Sequence, residues 1–192
     1  LLLQSGLGLD AFLAGSVFAP CSLAFVATSL AAPRLVARWG MGAIVAGSAA
    51  YALSIGLLMA QVHAQVHAQV HAQVYAAGAG LQAAQLIPLL IVLGAGQGLI
   101  MTPLLNLVLG WVPASQAGMA SGVMATLQQI GAALGVAVVG MLFGATLAAD
   151  CAPAAQAGCY SAAFVAGMGY NLAAALLVCG LLWLLSRSRA AR

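Results

Sequence analysis

Residues 117–148 read AGMASGVMATLQQIGAALGVAVVGMLFGATLA, a stretch without one charged side chain. About 20 consecutive apolar residues suffice to cross a bilayer as a helix, so this stretch can span lipid by itself. Glycine recurs in it at four-residue steps: Gly118/Gly122, Gly131/Gly135 and Gly140/Gly144. Small residues four apart let helix backbones approach closely where lipid supplies no hydrophobic drive for association. At about 100° per residue, Gly118, Gly122, Gly140 and Gly144 share one stripe, and Gly131 and Gly135 lie on roughly the opposite side. Two such seams predict helix packing on both faces, and so a helix buried between neighbours rather than on the lipid-facing rim.

The rest of the chain has the same character. Its 192 residues are 65% hydrophobic and 4% charged, with five arginines, two aspartates and no lysine or glutamate. Mean hydropathy is +1.12. A soluble domain carries about 25% charged residues, and this chain lacks the polar surface to face water as a globule. A soluble enzyme, a nucleic-acid binder and a disordered chain are excluded, and the net charge of +3 is no phosphate-seeking patch. An all-α membrane protein with about five transmembrane helices is predicted, over 11–30, 41–60, 85–109, 117–148 and 161–185. Pro33 with two arginines ends the first span, and Trp111-Val112-Pro113 ends the third. Asp150, Pro153 and Gln156 separate the last two. No basic stretch opens the chain as a secretory signal would. Leu1-Leu2-Leu3-Gln4 reads as the last turn of a helix whose start is missing, and a fragment is expected.

Arg34 and Arg38 lie between the first two spans, and Arg187, Arg189 and Arg192 follow the fifth. With five alternating spans these two clusters share a side, and Asp10 and Asp150 fall on the other. Arginine collects on the cytoplasmic face, so the C-terminus is expected there. The connections after the second and fourth spans are expected outside.

Residues 61–75 carry a tandem QVHA repeat followed by Tyr75, with His63, His67 and His71 four apart. A row of imidazoles on a helix can bind a transition metal. The reading adopted is a duplicated stretch in a tolerant external loop, with no metal assigned, because no cysteine or carboxylate accompanies the histidines.

Polar residues inside the spans are the candidate substrate-cavity lining. Gln128 and Gln129 sit mid-span, with Ser121 and Thr126 near them around the helix. A buried amide must be hydrogen-bonded or face water, so each either lines a cavity or bonds a neighbouring helix. The third span carries Gly94, Gly98, Thr102 and Asn106 as one slowly drifting stripe, with Gln97 beside it and Pro103 as a bend. Gln97 and Asn106 join the cavity candidates. GAGQGL does not match the GxGxxG of nucleotide loops and lies inside a span, so no cofactor is expected. No span holds Asp, Glu, Lys or Arg. No Ser–His pair or paired aspartates occur within the spans, and no enzymatic activity is expected. Cys21 and Cys179 read as apolar fillers, whereas Cys151 and Cys159 share a short external connection where a disulfide is possible in an oxidising exterior.

Several local patterns together resemble the major facilitator superfamily, and within it the fourteen-helix drug:proton antiporters. Leu3-Gln4-Ser5-Gly6-Leu7-Gly8, Ala14-Gly15 and Pro20 look like the junction entering the tenth helix. Arg34 to Gly40 resembles a worn copy of the cytoplasmic loop motif GxLaDRxGrr. Leu35, Arg38 and Gly40 match it, while Pro33, Ala37 and Met41 replace its glycine, aspartate and a basic residue. Gly94 to Pro103, Pro113, Gly118, Ser121-Gly122, Gln128 to Gly131 and Gly135 to Ala137 resemble the twelfth and thirteenth helices.

The resemblance implies most of the C-terminal half of a multi-pass transporter in a bacterial cell membrane. Its partners would be the lipid bilayer, the missing N-terminal half, a small-molecule substrate and protons as coupling ion. It implies alternating access by rocking bundles, with Arg34, Arg38 and Gly40 at the cytoplasmic gate. The alternative is a free-standing, non-transporting membrane protein or truncated remnant.

Overall fold

The computed structural model describes residues 10–71, 79–150 and 156–190. They form five helices: α1 (Ala11–Trp39), α2 (Met41–His71), α3 (Ala79–Leu109), α4 (Ala117–Asp150) and α5 (Gln156–Ala190). Each carries an apolar span long enough to cross a membrane, Gly15–Trp39, Met41–Ala64, Gln85–Leu109, Ala114–Thr146 and Ala162–Arg187, the fourth of which includes the 3-10 turn Ala114–Gln116 that leads into α4. There is no strand among the described residues. The chain is an all-α membrane protein, as its composition predicts.

Several helix ends differ from the sequence expectation, among them the starts of α3 at Ala79 and of α5 at Gln156, and two differences have a plain physical cause. Pro33 does not end the first helix, since α1 runs through it to Trp39. A proline removes only its own N–H from the ladder, and membrane helices tolerate that loss. The break comes at Gly40, whose φ of +57° is the left-handed conformation open to glycine at little cost. Its N–H donates to the Val36 carbonyl at 2.7 Å, and α2 begins at the next residue. The motif segment Arg34 to Trp39 is thus the last turns of a helix, and Arg38 complements the negative end of its dipole. The second difference is the QVHA repeat. Residues 61–71 continue α2 as helix instead of starting a loop, because alanine and glutamine favour helix and no glycine or proline interrupts them.

α3 is the hub, and its glycines decide how. Cys21/Gly94, Phe25/Gly98 and Ser29/Thr102 pair α1 with α3 at a constant offset of 73 residues. A constant offset at four-residue steps means two parallel helices with interlocking ridges. Gly94 lies against the Cys21 carbonyl so closely that a Cβ there would overlap it. A Cβ on Gly98 would sit 2.6 Å from the Phe25 carbonyl oxygen. Ser29 and Thr102 close the seam with a hydroxyl–hydroxyl hydrogen bond. The stripe read from the sequence is therefore a helix–helix seam over Gly94, Gly98 and Thr102. The same offset sets Asn106 level with Pro33, and Asn106 is exposed.

The other face of α3 packs on α2. A Cβ on Gly96 would lie 2.8 Å from the Gly47 carbonyl oxygen and 2.9 Å from the Tyr51 nitrogen. These helices run antiparallel, since Val17, Leu58, Leu86 and Leu90 form one buried cluster at the far end. On its remaining side α2 holds α5, through a cluster of Ala52, Ile55 and Ala175.

The alternation carries Trp39, Trp111 and Trp183, the chain's three tryptophans, to one end of the bundle, with Arg34, Arg38 and Arg187. Arg187 stacks over the Trp183 ring at 3.8 Å. Tryptophan and arginine collected at one level mark a membrane–water interface.

α4 is the least covered of the five helices among the described residues. No residue of its span is buried, and α4 leans chiefly on α5, where Val139 meets Gly167. A Cβ on Gly118, Gly122, Gly131, Gly135, Gly140 or Gly144 would meet nothing within 4 Å. Within the described residues this helix lies at the edge, because neither glycine seam has a partner helix there.

Candidate functional site: a polar groove between α2, α3 and α5

Where α2, α3 and α5 meet, their packing leaves a half-open groove with a cavity volume of ≈ 250 Å³. Ser48 and Tyr51 line it from α2, Gln97, Ile100 and Met101 from α3, and Asn171, Ala174, Ala175 and Val178 from α5. The sequence explains why space remains. Gly47 and Gly96 bring α2 and α3 together on one side of Tyr51, and Ala174 and Ala175 leave α5 without bulk opposite them. All three segments lie well inside their spans, so the groove sits at depth rather than at the surface.

Its chemistry is neutral. Two carboxamides, Gln97 and Asn171, each offer donors and an acceptor, and Tyr51 adds a phenol. The Ser48 hydroxyl donates to the Val45 carbonyl at 2.8 Å and retains acceptor capacity. The rest of the wall is aliphatic or thioether. A wall of this kind suits an amphipathic molecule with a few hydrogen-bonding groups. No charged residue lines it. Among the described residues no three His, Cys, Asp or Glu side chains gather as metal ligands.

Of the four amides expected to line a cavity, the groove contains Gln97 alone. Asn106 is exposed near the tryptophan end of α3, and Gln128 and Gln129 are exposed on α4. Ser121 and Thr126 do not reach toward those glutamines, because their hydroxyls donate to the Gly118 and Gly122 carbonyls of their own helix. The groove also contains Asn171, which sequence reasoning missed although it is an isolated amide within a span, like the residues that were singled out. Ser48 and Tyr51 carry no comparable signal and become visible only when three helices converge. Arg34 and Arg38 are exposed on the last turns of α1, next to Gly40. Cys151 lies outside the described residues, as does the side chain of Cys159, so their pairing does too. Cys21 and Cys179 are free and half-buried.

The chain is similar to the probable actinorhodin transporter of Streptomyces coelicolor, with 32% identity over 142 residues, 73% of this chain and 22% of that protein. It is also similar to the multidrug resistance protein Stp of Mycobacterium tuberculosis, with 42% identity over 60 residues, 31% of this chain and 11% of that protein. The longer match thus spans about a fifth of its relative's length. No protein-family model matches the chain. No solved structure matches it either. One relative is named for transport and the other for drug resistance. With five apolar spans, these similarities support a membrane transporter at the level of the family.

Proposed function

We propose that the chain is the C-terminal part of a major facilitator superfamily exporter, of the fourteen-helix drug:proton antiporter branch. It would work by alternating access together with an N-terminal half. The observation that carries this reading is the pairing of five apolar spans with a 142-residue similarity to a transporter. The loop motif at Arg34, Arg38 and Gly40 and the pattern from Gly94 to Ala137 favour this superfamily. Orientation follows from arginine: the end bearing the tryptophans and arginines faces the cytoplasm of a bacterial cell, and so does the C-terminus.

In this reading the groove of Tyr51, Gln97 and Asn171 belongs to the substrate path, and the open glycine seams of α4 receive helices of the remaining protein. The described spans contain no Asp or Glu. A titrating carboxylate for proton coupling would therefore come from the rest of the transporter. Substrates are small amphipathic molecules, matched to an aliphatic wall with neutral hydrogen-bonding groups.

Gln97→Ala and Asn171→Ala in the full-length protein test this assignment. Each removes hydrogen bonds worth about 0.5–1.5 kcal/mol. Resistance of a drug-sensitive host should fall about 2- to 10-fold at unchanged expression. Unchanged resistance in both variants would remove the groove from the transport path.

A further inference from the structure

The groove draws one face from each of three helices, and each face brings a hydrogen-bonding side chain: Tyr51 on α2, Gln97 on α3 and Asn171 on α5. All three lie near the middle of their spans. Packing on either side fixes their levels. Gly96 meets Gly47 and Tyr51, so Gln97 is level with that turn of α2. Ala175 packs with Ala52 and Ile55, and Gly169 meets the end of the Met59 side chain, which sets Asn171 further from the tryptophan end. The two carboxamides therefore stand at different depths along the groove. Neither makes a hydrogen bond to another described residue. An amide at this depth needs a partner, and the groove leaves room for one to enter. Each amide offers two donors and an acceptor, so the pair presents partial charges of both signs and no net charge.

We propose that this groove selects uncharged amphipathic molecules over lipophilic cations, and that Gln97 and Asn171 set the choice. The proposal rests on the reading that the groove belongs to the substrate path. An uncharged molecule exchanges the water on its hydroxyl or carbonyl groups for the two carboxamides, and its apolar body lies against Ile100, Met101 and Val178. A cation of the same size gives up its hydration at mid-span and needs a carboxylate to offset that cost. The described spans contain no Asp or Glu. Gln97→Glu and Asn171→Asp each keep the shape of the side chain and supply the missing charge, so either change reverses the preference.

Dye efflux from preloaded host cells expressing the full-length transporter tests this, with Nile red as the uncharged probe and ethidium as the permanent cation. The unmodified transporter should clear Nile red and leave ethidium largely in the cells. Gln97→Glu and Asn171→Asp should each raise the ratio of ethidium to Nile red efflux at least about tenfold. The two changes lie on different helices, so a folding failure in one leaves the other, and immunoblotting reports expression. An unmodified transporter that clears ethidium as fast as Nile red, or clears no Nile red, would overturn the selectivity. So would an unchanged ratio in an expressed carboxylate variant while Gln97→Ala still slows Nile red, since the groove would then lie in the path without sorting charge. If neither the alanine nor the carboxylate changes alter either rate, the groove lies outside the path, and the functional reading falls together with this inference.

Discussion

Gly94→Ala and Gly98→Ala should each destabilise the bundle by about 2–3 kcal/mol, whereas Gly122→Ala, the same change on α4, should stabilise it by about 0.5–1 kcal/mol. The opposite signs follow from what the added methyl meets. On Gly94 it overlaps the Cys21 carbonyl, and on Gly98 it lands 2.6 Å from the Phe25 carbonyl oxygen. Those atoms are backbone within a helix and cannot rotate away. Relief requires α1 and α3 to separate, which opens the seam down to the Ser29–Thr102 hydrogen bond. On Gly122 the methyl meets nothing within 4 Å, and only the helix preference of alanine over glycine remains. Denaturing-detergent titration of the 192-residue chain, followed by circular dichroism, measures all three. Equal effects at the three positions would remove the glycine-seam account of α3.

The second large effect is expected at Ile55, which is 1% exposed and packs α2 against α5 beside Ala52 and Ala175. Ile55→Arg places a guanidinium mid-span, at an insertion cost of about 2.5–3.5 kcal/mol, and the described spans offer no carboxylate to pair with it. α4 is held chiefly through α5, so losing the α2–α5 contact frees two helices at once. The ratio of folded to unfolded protein in mild detergent should fall about 100-fold, and limited proteolysis should cut the α3–α4 connection near Ser115 more readily. Ile55→Val removes one methylene and should cost only about 0.5–1.5 kcal/mol. An Ile55→Arg variant as stable as the Val variant would show that α5 docks elsewhere.

Much of this architecture is legible in the amino-acid order, and the reasons differ from part to part. Charge is so scarce that the five spans stand out as long apolar runs. The starts at Met41 and Ala117 and the end at Leu109 coincide with the expected boundaries. Pro33 misleads because in lipid its lost hydrogen bond is cheaper than a broken helix. The QVHA repeat misleads because low complexity resembles a loop, although its residues favour helix.

Periodicity identifies which residues share a face, but it does not say which neighbour that face meets. For that reason the α4 glycines and the Gly94–Gly98–Thr102 stripe look alike in sequence, and only the second has a partner among the described residues. The groove was legible through Gln97 and through the overlooked Asn171. Tyr51 and Ser48 join it only because Gly47 and Gly96 draw two helices together.

The central claim is that α1 to α5 cross a bilayer side by side. Polarised infrared spectroscopy of the chain in oriented lipid bilayers tests it most directly. The amide I band should be helical, with its transition moments aligned so that the helix axes stand within about 40° of the membrane normal. Helices lying in the membrane plane, or a dominant β-sheet band, would contradict it.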